Sequence, residues 1–269
     1  MADSLHEKPT IAIVPGQWHI PEHYEDLITH LLNAGYPTRC VQLPSCNSPD
    51  PENQSVERDA QYIVQHLLQE DLNAGRDILV VMHSYGAVPG SVAIKGWSRD
   101  ERLAMGYPGG IIGVVMMCGV LVPNDCASLE YLRLLGPWSI INNGQVEVRS
   151  EYFHPAALLY NRSDTDVAEW AVELLKPHSV NVLLTPVASP AWMEPFYDDR
   201  RAYISCHDDN CLPFAVQKEM LDGTNLVWRR MVLQTSDHTP WLSKPDHVYK
   251  FIDDLANRWR GQPTMSLTN

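Results

Sequence analysis

The chain alternates between short apolar runs and stretches in which apolar residues recur every three or four positions. Thr10–Val14 is such a run, and residues 21–34 carry the recurrent spacing. The same alternation predicts further strands at 39–43, 78–82, 111–118, 202–206 and 231–235, and helices at 56–68, 85–97, 213–221 and 245–259. Strands that alternate with helices predict the α/β class, with a mostly parallel central sheet flanked by helices.

The alternation stops between residues 122 and 198. This stretch is rich in leucine and aromatic residues and carries several prolines. It is expected to be a mainly helical cap, inserted between two parts of one core, residues 1–121 and 199–269. Its aromatic residues either line a site at the carboxyl ends of the strands or pack the core of the insertion, and the pattern leaves both open.

Composition narrows the class of partner. The 269 residues include 33 acidic and 20 basic ones, which gives a formal net charge of −13. Because phosphate contacts need clustered cations and no such cluster stands out, the sequence disfavours nucleic-acid binding. No stretch approaches the ~20 apolar residues of a membrane span, so no membrane association is expected.

The N-terminal residues and the cysteines give expectations about where the protein is located. The first residues are polar and lack the apolar segment of a signal peptide, so a cytoplasmic location is expected. The six cysteines have no short regular spacing, which favours free thiols. The sequence leaves the oligomeric state undetermined, with a homodimer as one possibility.

The segment 82–86 carries the most informative chemistry. There an apolar run breaks at Ser84 in a turn closed by Gly86, and a helical pattern follows. Such a turn lifts a nucleophilic hydroxyl to the carboxyl edge of a sheet. Met82 stands where the usual pattern has glycine, so room for its side chain must be made elsewhere. Because Ser-x-Gly turns also occur for geometry alone, the assignment depends on partner residues.

Serine needs a base to take its proton, and the base is oriented by a carboxylate. After this kind of turn the expected chain order is Ser, acid, His. His238 directly follows a predicted strand and is the expected base. The loop after the preceding strand carries Asp209, the preferred acid, and Asp208, its reserve. Asp237 is less suitable, since a sequence neighbour rarely reaches the ring nitrogen that faces away from the serine.

The oxyanion of a tetrahedral intermediate needs two backbone N–H donors. One is expected from Tyr85, at the start of the helix after the turn. The other is expected from Gln17, in the loop after the first strand, where Gly16 permits a tight turn.

Four residues beside these loops are candidates for the substrate pocket. Trp18 and Trp241 flank the two loops and either wall the pocket or pack in the core. His19 either lines the pocket or lies at the surface. His83 is expected to pack under the turn, with substrate contact as the alternative.

Metal-ligand residue types also occur at Cys206, His207, Asp208 and Cys211. A closed zinc site needs four ligands, usually from two paired knuckles, and only one such pair exists here. No metal and no other cofactor are therefore predicted.

These segments together resemble the α/β-hydrolase superfamily, and within it the small esterases and hydroxynitrile lyases that lack the opening hairpin strands. The resemblance covers most of the chain. It implies a nucleophile, an acid, a base and two oxyanion donors at Ser84, Asp209, His238, Gln17 and Tyr85. The lyases of this group carry a lysine directly after the catalytic histidine, whereas this chain has Thr239, which favours hydrolysis over cyanohydrin cleavage.

The leading hypothesis is a serine hydrolase that cleaves a carboxylic ester, lactone or thioester of a small, largely apolar molecule through an acyl-enzyme on Ser84. One alternative is a lyase, acyltransferase or cyclase of small-molecule biosynthesis on the same scaffold. The other is a ligand-binding module without turnover, although a receptor has no need of a complete triad.

Overall fold

The computed structural model describes residues 8–132, 136, 138–148 and 154–260. The polar N-terminal segment, on which the expected location rests, lies outside these residues. The strands are β1 (Thr10–Val14), β2 (Thr38–Cys40), β3 (Asp77–His83), β4 (Gly110–Met117), β5 (Ser139–Asn142), β6 (Gln145–Val148), β7 (His178–Ser179), β8 (Arg201–Cys206) and β9 (Arg229–Leu233). Six of them form one sheet in the order β2-β1-β3-β4-β8-β9, with every neighbouring pair parallel. The predicted α/β class is confirmed.

Helices cover both faces of this sheet. The α-helices are α1 (Glu25–Asn33), α2 (Val56–Ile63), α3 (Gln69–Asn73), α4 (Ala87–Ala93), α5 (Arg99–Ala104), α6 (Ser128–Leu132), α7 (Pro155–Leu159), α8 (Thr165–Leu174), α9 (Asn181–Leu184), α10 (Phe214–Gly223), α11 (Pro240–Ser243) and α12 (Pro245–Arg260). One π-helical segment, Val64–Leu68, continues α2 into α3. Short 3₁₀ helices lie at Pro21–Tyr24, Pro51–Asn53, Ser84–Gly86, Ala191–Met193 and Pro195–Tyr197.

Alternate residues of each central strand enter opposite halves of the core. In β3, Val80 packs in the half that contains α2 and α4, whereas Leu79 and Val81 pack in the half that contains α1 and α12. A strand buried on both faces reads as a continuous apolar run, which is why the sequence pattern located these strands. Because all six strands are parallel, their carboxyl ends meet at one edge of the sheet.

The insertion between β4 and β8 contains a small sheet as well as helices. Strands β5, β6 and β7 pair antiparallel, and short helices surround them. The apolar pattern did not indicate these strands, because β5 and β6 are four residues long and β7 is two. Val146 and Leu158 of this region are buried in the same cluster as the core residues beside α2.

Two further features concern the described residues. None of their helices combines the length and the apolar character that a bilayer crossing requires. All six cysteines carry free thiols, and three of them, Cys46, Cys118 and Cys206, are buried.

Candidate active site

The turn after β3 has the geometry of a nucleophile elbow. Ser84 has a φ of 49°, a left-handed backbone conformation that residues other than glycine rarely adopt. Gly86 is required by a close approach, since a Cβ there would lie 2.4 Å from the carbonyl oxygen of Pro15. The elbow is thus held against the loop that follows β1, and the Ser84 hydroxyl lies at the carboxyl edge of the sheet.

The room that Met82 needs is provided by Gly90 in α4. A Cβ at Gly90 would lie 2.8 Å from the Met82 sulfur, so the absent side chain leaves the space that the methionine occupies. Met82 is fully buried. The departure from the usual glycine is therefore compensated by a glycine eight positions later along the chain.

Ser84, His238 and Asp209 form a continuous hydrogen-bonded row. The Ser84 hydroxyl donates to Nε2 of His238 at 2.8 Å, and Nδ1–H of His238 donates to Oδ2 of Asp209 at 2.7 Å. All three residues are buried. This arrangement fixes the imidazole tautomer in which Nε2 is free to take the serine proton.

The Asp209 carboxylate is held on both oxygens. Oδ1 accepts from the backbone N–H groups of Cys211 and Leu212, each at 2.8 Å. Oδ2 also accepts from the side-chain amide of Gln217 at 3.0 Å, and Gln217 in turn bonds to both backbone groups of Cys206. The acid therefore has one orientation, set by the loop after β8 and by helix α10.

The two other aspartates considered from the sequence have different partners. The Asp208 carboxylate bonds to the Arg162 guanidinium at 2.8 Å and to His207. Asp237 is buried and accepts from the backbone of Arg162 and from Thr239, which ties the loop after β9 to the insertion. Of the three, the structure brings Asp209 to the imidazole.

The pKa of His238 follows from this pairing. Burial disfavours the imidazolium, but the Asp209 carboxylate outweighs burial and raises the pKa of His238 well above its ordinary value of 6.5. The same contact stabilises an imidazolium at His238.

The backbone N–H groups of Tyr85 and Gln17 have no hydrogen-bond partner among the described residues. Tyr85 stands at the second position of the 3₁₀ helix Ser84–Gly86, where an N–H has no intrahelical partner. Among the described residues, the N–H of Gln17 makes no hydrogen bond either. Gly16 lets the Gln17 loop approach the elbow, since a Cβ there would lie 3.0 Å from Cβ of Ser84.

A narrow pocket opens onto Ser84 between the core and the insertion. Its walls combine Trp18 and Leu212 from the core with Ser128 and Trp138 from the insertion. The cavity is narrow, with a volume of about 20 Å³, which is close to the room that one water molecule takes up. The rings of Trp18 and Trp138 meet edge to face, 5.8 Å apart.

Of the four residues predicted for the pocket, Trp18 lines this one. His19, His83 and Trp241 are buried behind the loop after β1 and do not line it. The Tyr24 hydroxyl accepts from the Gly16 N–H at 2.9 Å and donates to Nδ1 of His83 at 2.8 Å.

His19, His83 and Trp241 make further hydrogen bonds to buried groups. Nε2–H of His83 donates to the carbonyl of His238 at 2.9 Å, so these hydrogen bonds join the loop after β1 to the loop after β9. His19 bonds to the carbonyl of Gln17 and to the Tyr160 hydroxyl, and the Trp241 indole bonds to the carbonyl of His23.

A model of the alpha/beta hydrolase family matches residues 11–250. The chain belongs to this family. It is 31 % identical over 260 residues to the alpha/beta hydrolase nvfD of Aspergillus novofumigatus, which covers 93 % of this chain and 97 % of that relative. It is therefore an enzyme of the α/β-hydrolase type.

Solved structures show the same fold. A tomato methylketone synthase I bound to 2-tridecanone superposes with a TM-score of 0.74 at 18 % identity, over 94 % of this chain and 99 % of that one. A methylesterase of Arabidopsis superposes with a TM-score of 0.68 at 17 % identity, over 93 % of this chain and 99 % of that one.

In this α/β hydrolase a second buried chain of polar groups supports the elbow. The Tyr85 hydroxyl donates to Asp59 at 2.8 Å, and Ser45 donates to the same carboxylate. Ser45 also contacts Nε2 of His178, a residue of β7, at 3.1 Å. Burial raises the pKa of Asp59 to about 6 and lowers that of His178 to about 3. The insertion is thus joined to the residue that follows Ser84.

One cluster of metal-ligand residue types lies within the site. Ligand atoms of Cys118, Asp209 and His238 are all within 4.8 Å of one another. Two ligands of one tetrahedral zinc ion are about 3.4 Å apart, whereas the carboxylate and imidazole are hydrogen-bonded at 2.7 Å. Burial also raises the pKa of the Cys118 thiol, which disfavours the thiolate that zinc would need. The geometry fits a hydrogen-bonded dyad and not an ion site.

Sequence reasoning missed several residues that shape this site. Gln217 lies in a helix that the pattern located, but nothing in the pattern shows that its amide points inward to Asp209. Ser128 and Trp138 lie in the insertion, where helical periods are too short to orient side chains. Tyr24 lies in the segment 21–34 that the pattern located, but the pattern does not show the contacts of its hydroxyl.

Proposed function

We propose that this α/β hydrolase cleaves a carboxylic ester, lactone or thioester of a small, largely apolar molecule through an acyl-enzyme on Ser84. The observation that carries the proposal is the Ser84–His238–Asp209 row, with hydrogen bonds of 2.8 and 2.7 Å. The pocket that opens onto Ser84 has apolar walls, including Trp18 and Leu212, and supports an apolar substrate.

In the proposed mechanism Ser84 attacks the substrate carbonyl while Nε2 of His238 takes its proton. The new C–O bond leaves an oxyanion, which the N–H groups of Gln17 and Tyr85 stabilise. His238 then gives its proton to the leaving alcohol or thiol, and the acyl group stays on Ser84. Next His238 takes a proton from water, the hydroxide attacks the acyl carbonyl, and Ser84 regains its proton as the acid departs.

We further propose that residues 122–198 form a cap over this site. Ser128 and Trp138 support this assignment, because they belong to the insertion and line the same pocket as Ser84. His178 adds a second connection, since it lies in the insertion and contacts Ser45 of the core.

Turnover of short p-nitrophenyl esters tests the proposal. The wild-type protein should release p-nitrophenolate from the acetate and butanoate esters, and Ser84→Ala should lower kcat by at least about 10³-fold. Ser91→Ala is the matched control, because it removes a buried hydroxyl that bonds to the carbonyl of Ala87 in α4, away from the pocket. Equal rates for Ser84→Ala and the wild-type protein would refute the mechanism.

A non-hydrolytic reaction on the same scaffold makes a different prediction. A lyase that uses His238 only as a base needs no nucleophile, so its Ser84→Ala variant would keep most of its native activity. The 2.8 Å hydrogen bond from Ser84 to His238 favours hydrolysis, because it prepares the hydroxyl for deprotonation.

A further inference from the structure

Two buried polar atoms in the pocket wall have no hydrogen-bond partner among the described residues. They are Nε2 of Gln17 and Oγ of Ser128, and both residues line the pocket that opens onto Ser84. Gln17 is 7 % exposed and Ser128 is fully buried. Because buried polar groups are nearly always hydrogen-bonded, two unpaired ones in a single pocket point to a ligand that pairs with them.

Three other polar side chains of this pocket are already engaged. The Trp18 indole N–H donates to the carbonyl of Val146 at 3.0 Å, and the Tyr85 hydroxyl donates to Asp59. The Ser84 hydroxyl is committed to His238. Among the described residues of the pocket, the Gln17 amide and the Ser128 hydroxyl therefore stay available to recognise a second polar atom of a substrate.

The chemistry of the two groups selects an acceptor. Nε2 of Gln17 can only donate, and a serine hydroxyl can donate as well. One oxygen with two lone pairs can accept from both. Among the described residues that line the pocket there is neither lysine nor arginine, and none of them would balance a carboxylate. A neutral ether, hydroxyl or carbonyl oxygen matches this set.

We propose that Gln17 and Ser128 form a polar subsite for a second, neutral acceptor oxygen of the ester that Ser84 attacks. The proposal rests on the proposed hydrolase function and adds a substrate class, namely oxygen-substituted esters whose remaining surface is apolar. The insertion contributes Ser128 and the core contributes Gln17, so the substrate oxygen would lie where the two parts meet.

Three esters of matched size test this subsite. Butyl butanoate is the parent, butyl methoxyacetate replaces one acyl methylene by oxygen, and 2-methoxyethyl butanoate replaces one alcohol methylene. Acid release in a pH-stat gives kcat/KM for each, and the selectivity is the ratio of an oxygen ester to the parent. Dividing the ratio of a variant by that of the wild type cancels the intrinsic reactivity of the esters.

Ser128→Ala should lower this selectivity by about tenfold for one of the two oxygen esters, since one hydrogen bond is lost. The ester that responds shows whether the subsite faces the acyl or the alcohol part. Ser128→Thr keeps the hydroxyl and should restore most of the selectivity. Gln17→Leu keeps the backbone N–H but removes the amide, and should lower the same ratio independently of Ser128.

Ser91→Ala is the matched control and should leave the ratio at its wild-type value. An unchanged ratio in both Ser128→Ala and Gln17→Leu, with Ser84 still labelled by a fluorophosphonate, would overturn the subsite and leave the hydrolase proposal standing. That result would mean that the two groups bind water only. No turnover of any ester and no labelling of Ser84 would overturn the proposed function itself.

Discussion

Asp209→Asn is the substitution that probes the proposed charge arrangement most sharply. The asparagine can keep its oxygen toward the N–H groups of Cys211 and Leu212, which directs its NH₂ group toward Nδ1 of His238. Nδ1 must then accept, so the proton moves to Nε2, which can no longer take the proton of Ser84. In Ser-His-Asp enzymes such a change lowers kcat by about 10⁴-fold, which corresponds to about 5.5 kcal/mol in the barrier.

The same variant should move the pH dependence in a defined direction. The proposed mechanism requires neutral His238, so kcat/KM should rise as pH passes the pKa of that residue. In the wild-type protein Asp209 raises this pKa well above 6.5, which places the rising limb above pH 6.5. Without the carboxylate, burial lowers the pKa, and the limb should shift to lower pH.

Folding stability responds to the same pair. The folded-state pKa of His238 is raised above its unfolded value, so the stabilisation by Asp209 is fully present below pH 6.5. It is lost as pH rises through the raised pKa. Asp209→Asn should therefore remove stability most strongly below pH 6.5.

Ester hydrolysis between pH 5 and 9 and urea unfolding at pH 6 and pH 9 measure these effects. Asp208→Asn is the matched control, because it removes the neighbouring carboxylate, which faces Arg162 and His207. Its rate and profile should stay near those of the wild type. If Asp208→Asn lost the activity and Asp209→Asn kept it, the assignment of the acid would be wrong.

Three further substitutions test residues that hold the Ser84 turn and its neighbouring loops in place. Gly86→Ala places a Cβ 2.4 Å from the carbonyl oxygen of Pro15, and should lower the urea midpoint sharply, whereas Gly223→Ala, with open space around it, should not. Burial raises the pKa of Asp59 from 3.8 to about 6, so its contribution to stability falls by about 3 kcal/mol as pH rises through this window. Asp59→Asn should therefore gain nearly that amount relative to the wild type between pH 3 and 7 in urea unfolding, and an equal difference at both pH values would contradict this. Tyr24→Phe leaves two buried groups unpaired and should cost about 1–3 kcal/mol of unfolding free energy and lower kcat. Unchanged kinetics would show that this hydroxyl does not position the site.

The sequence was sufficient to predict the parallel sheet and to assign Ser84, Asp209 and His238 to loops that follow its strands. Ser84 and Asp209 follow the buried strands β3 and β8, His238 follows the edge strand β9, and parallel strands bring their carboxyl ends to one edge. The periodic patterns that identify such strands thus also indicate which loops meet. Residues that directly follow these strands could be brought together without knowledge of any side-chain contact.

The pocket was harder to predict for a physical reason. Trp241 and His19 lie next to the predicted site residues along the chain, but their side chains are buried and do not line this pocket. Ser128 and Trp138 lie far from the site along the chain, and short elements carry them to it. The direction of a side chain in a loop depends on packing with distant residues, which a pattern of apolar positions does not contain. The fit of the Met82 side chain into the space beside Gly90 also depends on such packing, and the pattern does not contain it.

Mass spectrometry of the protein after treatment with a fluorophosphonate tests the central claim most directly. The account predicts one phosphonyl adduct per chain, located on the peptide that contains Ser84. It also predicts a much slower reaction in His238→Ala, because the hydroxyl loses its base. A folded, monodisperse protein that forms no adduct, or forms it on another residue, would contradict the account.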